Sequence, residues 1–294
     1  MEKNKYIENM KLIYLIHCHK NVNQVNNLID LLSDENTEIY VNVDLKSKIE
    51  IAKINPKAHL IKKRIPILWG DYSQVQATLN SIEEIHKNEA NYSHIIFISA
   101  QDFPIKSNET IKNTIKENTD YLDYCIIPEN KNWNVKYRYE RYHYTGKFEL
   151  LRPVVSFFTR VFRKLGYCRQ IPGNPIPYGG SQWWILSKKS IEFLISFVNN
   201  SANQTFINFF RTVVCCDELF FQMILCNSDR MKNIINNNYR YIDWSEHKAN
   251  PNNLVLADYE KIINSNKLFC RKIEPEISDA LVEKLLEYRD NRCC

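Results

Sequence analysis

The chain has 294 residues, 44% of them hydrophobic and 25% charged, with few Gly and Pro; this fits a globular protein and excludes a disordered or collagenous one. Its net charge of +5 is modest and spread along the chain, so charge gives no reason to expect nucleic acid, although an anionic small substrate or membrane surface is compatible with it. The nine cysteines are odd in number and lack any Cys-x-x-Cys pair. They read as reduced thiols and, with a polar Met1 to Met10 in place of a signal region, predict a cytoplasmic protein. No stretch reaches the roughly 20 apolar residues of a membrane span.

Lys11 to Ile16 is a β-rich run that ends at His17-Cys18-His19, and a helical pattern follows through Val25, Leu28, Ile29 and Leu32. Glu38 to Val43 reads as a strand closed by Asp44, and Ile65 to Trp69 is a short apolar stretch. A helix from about Ser73 to Lys87 leads into the strand His94 to Ser99, which breaks before Pro104. Such alternation predicts βαβ units on a mainly parallel sheet whose loops share one edge, the edge where open α/β sheets bind ligands. The nucleotide-binding half should occupy about 11–125.

Residues 128–177 are rich in Tyr, Arg and Lys without strand alternation, and read as an insertion. Beyond them come a strand at Trp183 to Leu186, helices at Lys189 to Asn199 and Asp217 to Cys226, a strand around Tyr239 to Trp244 and two C-terminal helices. One catalytic domain over 11–276 is expected, its second half at 177–276, followed by a helix or tail at 277–294.

Several chemistries are absent from the pattern. There is no Gly-x-Ser-x-Gly, Gly-x-Gly-x-x-Gly or P-loop, which removes the familiar hydrolase, dehydrogenase and kinase readings. His17, Cys18 and His19 lack a second cluster to complete a zinc set, and no Asp-x-Asp occurs, so no metal site is assigned. Asp217-Glu218 can be an N-terminal helix signature or a general base beside a pocket. Of Trp183 and Trp184, adjacent on a strand, one can pack in the core while the other faces a ligand.

Six segments carry a resemblance: Ile67-Leu68-Trp69-Gly70-Asp71-Tyr72-Ser73, Ser99-Ala100-Gln101-Asp102-Phe103-Pro104-Ile105, Gly180-Ser181-Gln182-Trp183-Trp184, Asp217-Glu218, Tyr241-Ile242-Asp243-Trp244 and Leu268-Phe269-Cys270-Arg271-Lys272. In this order they resemble the core-2/I-branching enzymes, the β-1,6-N-acetylglucosaminyltransferases of glycosyltransferase family 14, which also holds protein O-xylosyltransferases. The resemblance covers about Lys11 to Glu276. It implies a GT-A-like, Rossmann-related α/β fold, a UDP-sugar donor as co-substrate, inversion at the anomeric carbon, and neither metal nor other cofactor.

Carried over residue by residue, the resemblance makes Glu218 the catalytic base and Lys272 a diphosphate ligand. Asp44, Trp69, Gln101, Asp102 and Arg271 join the donor side, with Lys248 as the nearest candidate for a second basic ligand. Ser181, Gln182, Trp183, Asp217 and Trp244 form the sugar and acceptor side. The animal enzymes carry an anchor, a stem and disulfides that this chain lacks, which implies a bacterial-type relative acting on surface polysaccharide or lipopolysaccharide. N-acetylglucosamine is the expected sugar, with xylose or galactose as alternatives; the rival from another class is a non-catalytic sugar-binding protein.

Within the insertion, Leu151, Val154, Val155, Phe158, Val161, Phe162 and Leu165 follow helical spacing, with Arg152, Arg160, Arg163 and Lys164 on the opposite side. Such a helix either docks on the domain core or lies on the inner face of an anionic membrane, bringing the site to a lipid-linked acceptor.

Overall fold

The computed structural model describes residues 11–131, 133–143, 151–246 and 248–290, without the side chains of Arg152, Ser156, Arg163 and Asp290. The first strands in chain order are β1 Leu12–Cys18, β2 Thr37–Val43, β3 Ala58–Leu60, β4 His94–Ser99, β5 Phe103–Pro104 and β6 Asp120–Leu122. They continue with β7 Cys125–Ile126, β8 Tyr178–Gly179, β9 Trp184–Ser187, β10 Ile234–Ile235, β11 Arg240–Ile242 and β12 Phe269–Arg271.

Seven of these make the central sheet in the order β10-β6-β9-β4-β1-β2-β3. Strand β1 pairs in parallel with β2 and β4, and only β9 runs against its neighbours β4 and β6. The strands are apolar on both faces, as a covered parallel sheet requires: β1 is buried throughout except at His17. The sheet order reverses between β1, which leads to β2 on one side, and β4 on the other. That switch point puts the ends of β1, β2 and β4 around one crevice.

Alternate side chains sort into two cores. Ile13, Leu15, Ile95 and Phe97 face the helices Ser73–Asn88 and Lys188–Asn199, while Tyr14, Ile16, Ile96 and Ile98 face the helix Val22–Leu32. The result is a three-layer α/β/α architecture, the mainly parallel GT-A-like arrangement expected. A third cluster joins Phe103, Ile105 and Cys270 to Leu281 and Leu285 of the helix Asp279–Asp290, so packing continues past residue 276.

One expectation is corrected, and one open alternative is narrowed. No α-helix starts at Asp217: the acid pair stands on a 3-10 turn, Cys216–Glu218, and the α-helix runs from Phe220 to Leu225. A left-handed Cys215 (φ 48°), whose N–H donates to the Gly70 carbonyl at 2.8 Å, redirects the chain before the turn. The helix Leu151–Lys164 does form, but it is not docked on the core. Its apolar side joins none of the three clusters.

Buried polar groups pin the antiparallel strand. Asp120, fully buried, accepts from the Ser187 N–H at 2.7 Å and the Ser190 hydroxyl at 2.5 Å, and pairs with Arg230 at 3.2 Å. This ties β6 to β9 and to the helix that follows. Asp120→Ala removes the acceptor of the buried Ser187 N–H and the charge partner of Arg230, which keeps the hydroxyls of Ser190 and Ser187, and should lower unfolding free energy by about 1–3 kcal/mol in urea titration. A loss below about 1 kcal/mol, the average for any substitution, would show the network to be dispensable.

Candidate active site

The crevice at the switch point is a cleft of about 1420 Å³. One wall carries the acid pair and the other the late basic segment, and residues from all six sequence motifs meet there.

The acid wall is set by close backbone contact. Gly180 N–H donates to the Glu218 carbonyl at 2.8 Å, and a Cβ on Gly180 would lie 1.9 Å from the Asp123 carbonyl oxygen, so no larger residue fits. Glu218 is ion-paired through Oε2 to Arg138 Nη1 at 2.5 Å, and that guanidinium lies over the Trp133 ring at 5.4 Å. Asp217 is buried, receives the Gln74 amide on Oδ2 at 3.3 Å, and leaves Oδ1 without a partner. Burial first, and the neighbouring Glu218 charge second, push its pKa up to about 7.

The opposite wall rests on Asp102. This carboxylate is fully withdrawn from water, bonded to Arg240 Nε at 3.1 Å, to Arg271 Nη1 at 3.3 Å and to the Ser99 N–H and hydroxyl at 2.8 and 2.6 Å. Its hydrogen bonds go to Ser99 and to the two arginines, which it braces behind the cleft. Arg271 lies over the Trp183 ring at 4.4 Å. Trp183, packed against Phe97 at 4.9 Å, is thus floor of the cleft rather than an open sugar platform, and Trp184 is wholly core.

Lys272 lines the cleft beside Arg271, its strand end held by Ile273 N–H on the Gln101 carbonyl at 2.9 Å. Burial, then Lys20, lower its pKa, so an anionic ligand would relieve it. Gln101 donates to Glu274 at 2.7 Å, and Glu274 also holds Lys20 at 2.6 Å. Asp44 uses Oδ1 on the N–H groups of Lys46 and Ile67 at 2.9 and 3.1 Å, shaping the loop that brings Lys46 into the cleft.

Trp69 and Trp244 line the rim, 65% and 46% exposed, available for stacking. Ser181 and Gln182 also line the cleft, and Lys248 stands there paired with Glu246. Sequence reading missed Arg138, Trp133, Lys46 and Gln74. Only the aromatic and basic composition of 128–143 pointed toward the first two.

A model of the family described as Core-2/I-Branching enzyme matches residues 5–265. The chain belongs to the Core-2/I-Branching enzyme family. Among its relatives, Xylosyltransferase oxt of Drosophila pseudoobscura pseudoobscura is 22% identical over 289 residues, 90% of this chain and 32% of that protein. Xylosyltransferase 2 of Rattus norvegicus is 22% identical over 300 residues, 94% and 33% of the two chains. Xylosyltransferase of Ciona intestinalis is 22% identical, with 95% and 34% covered. The chain thus spans about a third of the length of these family relatives.

The Asp217 proton makes a test of the acid wall. Its folded pKa is raised, so the folded chain keeps a proton that the unfolded chain releases near 3.8, and stability must fall as pH rises from about 4 to about 7. The decline contributed by this group is at most about 4 kcal/mol. Asp217→Asn should flatten that slope and be relatively more stable at alkaline than at acid pH, as read by urea unfolding. An unchanged slope would remove Asp217 from the buried, proton-holding role.

Proposed function

We propose that this chain is an inverting glycosyltransferase, moving a sugar from a UDP-sugar to a hydroxyl of a glycan acceptor. The observation that carries this reading is a cleft with a partly exposed carboxylate, Glu218, on one wall and Lys272 on the other. Glu218 takes the proton of the acceptor hydroxyl as its oxygen bonds to the anomeric carbon, and the bond from that carbon to UDP breaks on the opposite side. Lys272, with Lys46 and Arg271, meets the charge that develops on the leaving diphosphate. A base on one wall and cationic side chains on the other favour direct displacement and inversion. Arg138 keeps the Glu218 carboxylate in position.

Cationic side chains at the diphosphate end, and the missing Asp-x-Asp, support a reaction without a required metal. The family match supports N-acetylglucosamine as the transferred sugar. A second reading, UDP-xylose as donor, is favoured by the names of the relatives that align across nearly the whole chain. For the acceptor we propose a glycan carried on a lipid, met from the cytoplasmic side. Among the described residues no helix is long and apolar enough to cross a membrane.

Glu218→Gln should lower turnover about 100- to 10,000-fold while UDP still shifts the melting temperature, because the amide keeps the shape but accepts no proton. Retention of more than about a tenth of turnover would reject the assigned base. Release of UDP should be followed with UDP-N-acetylglucosamine, UDP-xylose and UDP-galactose in turn. No release with any of them, in the presence of glycan acceptors, favours a non-catalytic sugar-binding protein.

Lys272→Ala should weaken UDP binding about 10- to 150-fold, the loss of one charge-assisted contact. Turnover should also survive EDTA. Strict dependence on Mn²⁺ together with unaltered UDP binding by Lys272→Ala would overturn the side-chain reading of the diphosphate site.

A further inference from the structure

The helix Leu151–Lys164 is the largest departure from ordinary burial in the molecule. Leu151, Val154, Phe157, Phe158, Val161 and Phe162 are each 38 to 58% exposed, and Leu165 and Tyr167 just beyond are 66% and 72% exposed. At 100° per residue these helical positions fall on one stripe, with positions 152, 160, 163 and 164, all Arg or Lys, on the other side and its margins. A contiguous apolar stripe of this kind marks a contact surface.

What covers it follows from charge. No Asp or Glu occurs between Glu149 and Glu192, whereas Arg152, Arg160, Arg163, Lys164 and Arg169 all lie in that stretch. A second copy seated on the stripe by two-fold symmetry would bring two basic margins together and be repelled. An apolar layer edged by negative charge matches both properties at once, and that is the boundary of an anionic bilayer.

The excursion is also rooted beside the chemistry. His143 N–H donates to the Thr212 carbonyl at 3.1 Å before the helix, and Arg169 N–H donates to the Glu140 carbonyl at 3.0 Å after it. Of these anchors, His143 lines the same cleft as Arg138 and Glu218.

We propose that the helix Leu151–Lys164 is a peripheral membrane anchor: it lies in the interface of an anionic lipid surface and presents the acid wall of the cleft to acceptors held there. The anchoring itself needs no transferase activity; only its purpose rests on the function proposed above.

The test is flotation of the full chain with vesicles of phosphatidylcholine and phosphatidylglycerol, against vesicles of phosphatidylcholine alone. Binding is expected to the anionic vesicles, weakening as salt is raised. Phe158→Glu with Phe162→Glu should abolish it, and Arg160→Glu with Lys164→Glu should weaken it at least about tenfold. Both variants change exposed positions and should keep the melting temperature and its shift by UDP. Failure of the wild-type chain to float at low salt overturns the proposal. So does a concentration-dependent dimer in light scattering that Phe158→Glu dissolves, since the stripe would then be a contact between copies. Loss of the UDP shift in the wild-type chain would instead count against the transferase reading and leave flotation to decide the anchor.

Discussion

One buried carboxylate organises the basic side of this molecule. Asp102 sits where β4 ends and carries two guanidinium groups from strands of a second sheet, Arg240 of β11 and Arg271 of β12. Neither arginine could be taken out of water alone, since an unpaired buried charge costs several kcal/mol, so the two sheets are held together by mutual neutralisation. Arg240 spends its remaining donors on the carbonyls of Asn238 and Phe97, and Arg271 lies over the Trp183 ring. Lys272 follows Arg271 directly in the chain, so its place in the cleft is inherited from this brace.

The acid side is organised by a different kind of constraint, the shape of the backbone. A left-handed residue, a 3-10 turn and a glycine without room for a side chain bring Asp217 and Glu218 to the surface of the cleft. The two acids then take opposite fates. Asp217 turns inward and holds a proton because water is excluded, whereas Glu218 stays partly open and is oriented by an ion pair. Adjacent carboxylates in distinct surroundings can therefore do distinct work, Asp217 with its pKa raised by burial and Glu218 held by Arg138 at the cleft.

Much of this was legible in the sequence because strand and helix periods are local. The runs Leu12–Cys18, Thr37–Val43 and His94–Ser99, and the helices between them, follow from apolar spacing, and the crossover rule then puts their ends on one edge. Trp183 and Trp184 could be split between cleft and core, but not which neighbours would claim the exposed face. The fate of Asp102 was illegible because both its partners lie more than a hundred residues away. The same holds for Arg138, eighty residues from Glu218, within a segment that has no periodic pattern. The pattern of 151–165 gave the helix correctly, yet burial of its stripe depends on whether the body offers a matching face, and that is a property of the whole surface.

The contact at Gly180 bears on how such a cleft could change its substrate. Because the Asp123 carbonyl leaves no space beside Gly180, and Gly180 in turn holds the Glu218 backbone, the height of the acid wall above the sheet is fixed by atoms in contact. The Trp69 loop is tied to the same wall by the Cys215 N–H on the Gly70 carbonyl, yet the indole rings of Trp69 and Trp244 stand well out in solvent. Backbone contacts thus set the floor and the acid wall, and exposed side chains alone shape the rim at these two positions.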